Sequence, residues 1–126
     1  VVVTYGEFIV LDVSPPPLYL LTLQGTLMFS PDAGDLELNC SYIMIQYGRL
    51  IIGYADDPFP NKAIITLEGE RTAYELPVYG AKTIAVRTGQ LILHGRERVS
   101  WTRLAQNVHA GNVTIVVEEH TDWEVG

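Results

Sequence analysis

The chain has 126 residues, with 15 acidic against 8 basic side chains, a formal net charge of -7 and a 48% hydrophobic share. That apolar share excludes a disordered chain. The acidity repels a polyanion, so no nucleic acid partner is expected, and no apolar run reaches the ~20 residues of a membrane helix. The length fits one domain whose core buries about two-thirds of the unfolded surface. The sequence opens in mid-strand at Val1-Val-Val without a signal peptide, and reads as a domain excised from a longer chain. Cys40 is the single cysteine, which rules out an internal disulfide and leaves the redox compartment open. It is read as a small buried apolar group.

Val1 to Val13 reads as strands broken by a turn near Tyr5-Gly6-Glu7. Pro15-Pro16-Pro17 follows as an extended corner, because proline has no N–H for a ladder. From Leu21 to Phe29 the chain alternates, with Leu21, Leu23, Leu27 and Phe29 on one parity; this predicts a strand pair with one buried face. Ser30 to Asp35 is a turn. Leu36 and Leu38, then Ile43 and Ile45, point inward from the next strands. Tyr54-Ala-Asp-Asp-Pro-Phe-Pro-Asn61 is a loop, Ala63 to Leu67 a strand, and Glu70 to Gly80 irregular. Strand pattern returns at Lys82 to Val86 and Gln90 to Leu93. Val99 to Val108 is the one place for a short helical turn, and Asn112 to Val117, rich in β-branched residues, predicts a strand.

One phrase organises the chain. Leu23-Gln-Gly-Thr-Leu-Met-Phe29, Gln46-Tyr-Gly-Arg-Leu-Ile-Ile-Gly53 and Arg87-Thr-Gly-Gln-Leu-Ile-Leu-His-Gly95 each run from a glycine turn into a short apolar strand. The glycines at 25, 48, 69, 89 and 111 are 23, 21, 20 and 22 residues apart. A period near twenty, with no helix in each unit, suggests coils of short strands: an all-β, right-handed parallel β-helix-like solenoid. A β-sandwich of short alternating strands remains the alternative. The glycines are expected where the chain turns at positive φ or backbones approach closely.

Chemistry is sparse in this sequence. His94, His109 and His120 lack metal-ligand spacing, so no metal and no cofactor are expected, and no nucleophile elbow or phosphate loop is present. Asp56-Asp57 is too poor in oxygens for calcium and reads as a solvated or capping loop pair; Asp32 and Asp35 are turn formers. Glu118 and His120 share a strand face but suggest surface residues rather than acid–base catalysis. Lys82, Arg87, Arg96, Arg98 and Arg103 concentrate five of the basic residues in one segment, as a solvated face or a patch for an anionic ligand. Asn39-Cys40-Ser41 and Asn112-Val113-Thr114 are acceptor triplets for N-glycans if the protein is secreted. Tyr42, Tyr47, Tyr54, Tyr74 and Tyr79 are candidates for a sugar platform or for packing.

The order of the phrases carries a resemblance. Ile9-Val-Leu-Asp-Val-Ser-Pro-Pro-Pro-Leu, the three glycine phrases, Asp-Pro-Phe-Pro-Asn-Lys-Ala-Ile-Ile-Thr-Leu-Glu-Gly, Leu-Pro-Val-Tyr-Gly-Ala-Lys, Val-Ser-Trp-Thr-Arg-Leu and Asp-Trp-Glu-Val-Gly together resemble the eight-glycine (G-eight) domain. That family includes fibrocystin, its fibrocystin-like relatives and the cell-surface hyaluronidases; the spelling is most similar to the fibrocystin-like branch. The resemblance covers residues 1–126 as a single domain. It implies a non-catalytic structural or binding module of a large extracellular, receptor-like chain, joined to the membrane only through a single-pass parent and displayed on a cilium or stereocilium. It also implies a following β-helix as neighbour and an extracellular protein or glycan as partner. Gly25, Gly48, Gly53, Gly69, Gly80, Gly89, Gly95 and Gly126 match the family's phrases and are expected to have backbone roles. The alternative is part of a hyaluronan-binding or hyaluronan-cleaving ectodomain, with the five basic residues steering the sugar.

Overall fold

The computed structural model describes residues 1–70 and 72–123, so the Gly126 expectation lies outside the described residues. The chain forms two compact units, Val1–Gly95 and Arg96–Gly126. The first holds all nine named strands: β1 (Val2–Val3), β2 (Phe8–Leu11), β3 (Leu18–Leu23), β4 (Thr26–Phe29), β5 (Leu36–Gln46), β6 (Arg49–Ile52), β7 (Ala63–Leu67), β8 (Thr83–Arg87) and β9 (Gln90–Leu93). No α-helix occurs among the described residues; a single 3-10 turn, Pro31–Ala33, starts on proline, whose fixed φ suits a first helical position.

Two sheets of parallel strands result. One runs β1-β3-β5-β7, with β8 also on β5; the other runs β2-β4-β6-β9. Up to β6 the strands alternate between sheets, and each pairs with the strand two further along. The alternation predicted from Leu21 to Phe29 sits on the residues named: Leu21, Leu23, Leu27 and Phe29 are all buried. The pairing does not. β3 and β4 are consecutive but belong to different sheets, because the step at Gln24-Gly25 carries the chain from one to the other.

Parallel register places like upon like. Leu27 stacks on Leu50 and Leu50 on Leu91; Leu23 stacks on Ile45 and Ile45 on Val86. The core is therefore a set of aliphatic columns between the sheets, closed at one end by Phe29 and Phe59 (ring centroids 6.3 Å apart, edge to face). Each wholly buried Leu or Ile contributes about 1.5–3 kcal/mol. In β5 the inward parity changes: Leu36, Leu38 and Cys40 face in, then both Tyr42 and Ile43 are buried, then Ile45. The paired residues Leu20 and Leu21 make the same change in β3, so the two strands shift together.

The spacing near twenty residues is only partly a structural period. Gly25, Gly48 and Gly89 occupy equivalent places before β4, β6 and β9, and their neighbours bond in series: Arg49 N–H donates to Gly25 O (2.9 Å) and Gln90 N–H to Gly48 O (3.0 Å). Gly69 instead follows β7. β7 pairs with the first half of the 11-residue strand β5 and β8 with its second half, so residues between Gly48 and Gly89 span one long step. Gly111 lies in a turn of the second unit.

The reason for glycine in this column also differs from positive φ. None of Gly25, Gly48 and Gly89 is left-handed; Tyr47 (φ 63°) and Thr88 (φ 53°), just before two of them, are. What excludes a side chain is proximity. A Cβ on Gly25 would meet the carbonyl oxygens of Thr4 and Glu7; on Gly48, those of Gly25 and Leu23 (the latter at 2.5 Å); on Gly89, Ile45 Cγ2 at 2.7 Å and Gly48 O at 2.8 Å.

The second unit is irregular. Val99 to Val108 forms no helical turn and Asn112 to Val117 no strand. Instead Leu104 and Val117 form one antiparallel bridge, extended by Ala105 N–H to Val116 O and Glu118 N–H to Arg103 O, both 2.9 Å. The β-branched run fails as a strand because Val113 is wholly exposed, with no sheet partner to cover it.

Two outcomes follow. Gly48→Ala should cost about 2–4 kcal/mol in urea unfolding, whereas Gly95→Ala, with open space at its Cβ, should stay within about 0.5 kcal/mol of the parent. Cys40 is fully buried and its thiol is pushed up, first by burial and then by Glu68. A thiol reagent at pH 8 should therefore label the chain at the rate of unfolding, not at the rate of an exposed cysteine.

Candidate functional site

No catalytic constellation was expected, so the question is what surface the fold presents. The three histidines are exposed, His94 just after β9 and His109 and His120 in the second unit. Among the described residues no three His, Cys, Asp or Glu side chains lie close enough to hold a metal ion.

The basic residues divide between the two units. Lys82 and Arg87 flank and end β8, both exposed, with Lys82 itself left-handed (φ 50°). Arg96, Arg98 and Arg103 are exposed in the second unit, where Arg98 Nη1 donates to Asp122 O (3.1 Å). Asp122 also accepts from Val99 N–H (3.0 Å), and Trp123 Nε1–H donates to Val99 O, so this strap is tied at both ends.

The glycan triplets differ in setting. Asn112 is exposed in a tight turn, its Oδ1 accepting from His109 N–H (2.7 Å), and the following Val113 and Thr114 are exposed too. Asn39 lies in the middle of β5, as parity places it, on the face away from the core. It is only half-exposed, its Oδ1 is buried without a hydrogen-bond partner, and the next residue is the buried Cys40.

Of the tyrosines, Tyr47, Tyr54 and Tyr74 are exposed and Tyr79 half-buried. Tyr42 is buried, which removes it from any sugar platform. Its ring meets Tyr19 edge-on at 5.4 Å, and its hydroxyl donates to Tyr74 O, which anchors the irregular 72–80 segment onto the sheet. Burial, with Tyr19 adding to it, pushes the Tyr42 phenol up.

The sequence reading did not single out a small cleft beside the 54–60 loop, lined by Met28, Phe29, Pro31, Gly53, Tyr54, Asp57 and Phe59. Reciprocal bonds between Tyr54 and Asp57 (2.9 and 3.2 Å) close the loop, and Phe59 N–H donates to His94 O (2.8 Å). Gly53 is left-handed here (φ 71°), and a Cβ would meet His94 O and Phe59 N. The volume is about 160 Å³, below the ~300 Å³ at which small-molecule pockets begin. Only the stretch Asp57-Pro-Phe-Pro60 could have hinted at it. Asp56 and Asp57 are exposed loop residues, as a turn requires.

Comparison with known proteins bears on this surface. The chain is 47% identical over its whole length to human Fibrocystin-L, 37% over its whole length to dog Fibrocystin, and 37% over 90% of its length to a zebrafish Cell surface hyaluronidase. It spans 3%, 3% and 9% of those proteins. No solved structure matches. The G8 domain family matches residues 1–105, which takes in every strand and the whole glycine column: the chain belongs to the G8 domain family.

Proposed function

We propose that this chain is an extracellular, non-catalytic module of a large cell-surface protein, and that its first unit is a right-handed parallel β-helix-like solenoid that begins or caps a β-helical ectodomain. The observation that carries this reading is the parallel ladder: strands that alternate between two sheets and stack on the strand two further along are what successive coils produce. Parallel crossovers are right-handed in about 98% of cases, which supports the hand. The relatives support the setting. The chain spans a few per cent of Fibrocystin-L and Fibrocystin, as a module of a long protein would, and another relative is named for the cell surface. On this reading the parent is anchored in the membrane by a single span, on a cilium or stereocilium in the fibrocystin-like branch, and the domain offers its outer faces to a protein or glycan partner.

A second reading, a hyaluronan-binding part of an enzyme ectodomain, is favoured by the zebrafish hyaluronidase relative alone. Within the first unit it would use the exposed Lys82 and Arg87.

Secretion of the domain from animal cells tests the setting. Asn112 should carry a glycan, so that Asn112→Gln removes one enzyme-sensitive gel shift; an unmodified Asn112 in the secreted protein argues against the exposed-turn acceptor. Titration with hyaluronan oligosaccharides separates the two readings. The module reading expects no binding change in Lys82→Ala/Arg87→Ala. A tenfold loss, about 1.4 kcal/mol, would favour the second reading.

A further inference from the structure

β7 and β8 lie end to end on the same side of β5. Cys40 stands against Leu67, the last residue of β7, and Tyr42 against Thr83, the first of β8, so Ser41 alone separates the two pairings on β5. On its other side β5 keeps one partner, β3, through the same stretch, with Leu18 against Cys40 and Leu20 against Tyr42. The chain therefore leaves the sheet after β7 and returns to it almost where it left, after an excursion from Glu68 to Lys82. The two feet of the excursion are neighbours: a Cβ on Gly69 would lie 3.4 Å from Lys82 Cγ. A surface loop of this length with adjacent ends is an Ω-loop, a form that often carries function.

The excursion is bonded to itself more than to the sheet. Ala73 N–H donates to Glu70 O, Leu76 N–H to Gly80 O, and the N–H groups of Tyr79 and Gly80 to Leu76 O, all at 2.9–3.0 Å. Among the described residues, the one hydrogen bond from 72–80 to a strand is that of the Tyr42 hydroxyl to Tyr74 O. The tip is strained. Pro77 and Val78 centre a turn in which Val78 is left-handed (φ 76°), a place that suits glycine and not a β-branched residue. Val78 is 98% exposed, so no packing of its side chain offsets the strain. Beneath the excursion lies Tyr42. It is 1% exposed, yet it stands outside the core cluster between the sheets; its neighbours are the Tyr19 ring and the Tyr74 carbonyl.

We propose that β7 and β8 are two halves of one strand, and that residues 72–80 of the excursion between them form a strap latched over Tyr42 by its hydroxyl. Release of Tyr74 O lifts the strap and uncovers the Tyr42 ring while β5 keeps its partners on both sides. The halves are set by their register on β5, which the strap does not touch, so opening is local. The strain at Val78 favours the lifted form and the single latch opposes it. Once lifted, the strap leaves Tyr42 and Tyr19 as adjacent aromatic side chains on the outside of the sheet, a surface that the latched chain does not present. Every group in this device belongs to the first unit.

The test uses the whole chain and two variants. Chymotrypsin cleavage after Tyr74 and Tyr79 is followed by mass spectrometry in urea below the unfolding transition, beside amide exchange of Ile43, Ile45 and Leu50. Local opening exposes little surface, so cleavage should be nearly independent of urea while the core amides respond steeply. Tyr42→Phe, which keeps the ring and removes the donor, should speed that cleavage about tenfold, still without urea dependence. In the second variant one serine replaces Glu68–Lys82, to stand opposite Ser41. This chain should fold, with the core amides protected, and N-acetylimidazole should acetylate Tyr42 about as fast as the exposed Tyr47. Cleavage with the urea dependence of the core amides, or no faster in Tyr42→Phe, would overturn the latch. An unfolded short chain would overturn the single strand, and an unreactive Tyr42 in a folded one would overturn the cover.

Discussion

The structure depends on how closely one backbone passes the next at Gly25, Gly48 and Gly89. With no side chain there, the carbonyl of one rung can lie almost against the α-carbon of the following one, and the N–H of the next residue reaches it at 2.9–3.0 Å. That contact fixes where each strand of the β4-β6-β9 sheet begins, and so which residue stacks on which. A parallel strand displaced by a single residue would turn its aliphatic set outward. The column thus sets register for the leucines and isoleucines that supply most of the burial, although it contributes little burial itself.

Much of this was legible. The parity of Leu21, Leu23, Leu27 and Phe29, and of Leu36 and Leu38, named core residues correctly because a half-buried strand imposes period two. The repeated glycine phrase named the three equivalent positions. What could not be read was partnership. Alternation is local and says which face is buried, but a strand beside Leu27 can belong to its neighbour in sequence or to one a full step away. The same limit produced the apparent period through Gly69, a positive-φ residue just after β7, and Gly111, in a turn of the second unit.

Positive φ or close approach was expected at the glycines: Gly53, Gly69 and Gly80 take positive φ, Gly25, Gly48 and Gly89 the close approach, and before Gly48 and Gly89 the left-handed residues are Tyr47 and Thr88, at roughly 1–3 kcal/mol each. At Gly48 and Gly89 the left-handed residue makes the turn and the glycine after it makes the approach, whereas Gly53 serves both needs. At the surface, residue identity carried the charges of Lys82 and Arg87 and the exposure of Asn112. It did not reveal that Tyr42 is an internal anchor, since the carbonyl its hydroxyl holds, that of Tyr74, is 32 residues away.

The length of β5 has a kinetic consequence. Its first half receives β7 and its second half β8, so two later strands depend on one earlier one. No strand here can form by a local hairpin, because each parallel partner lies a whole step away. Topologies of that kind fold slowly, since loop closure precedes the contacts that compensate it. Closing from β5 to β8 spans nearly twice the chain that separates β3 from β5, which adds only about 0.6 kcal/mol. Docking β7 in between shortens the remaining search. β5 is thus the shared template for two later strands, and the Tyr42 hydroxyl holds Tyr74, which lies between them in sequence, to the same strand.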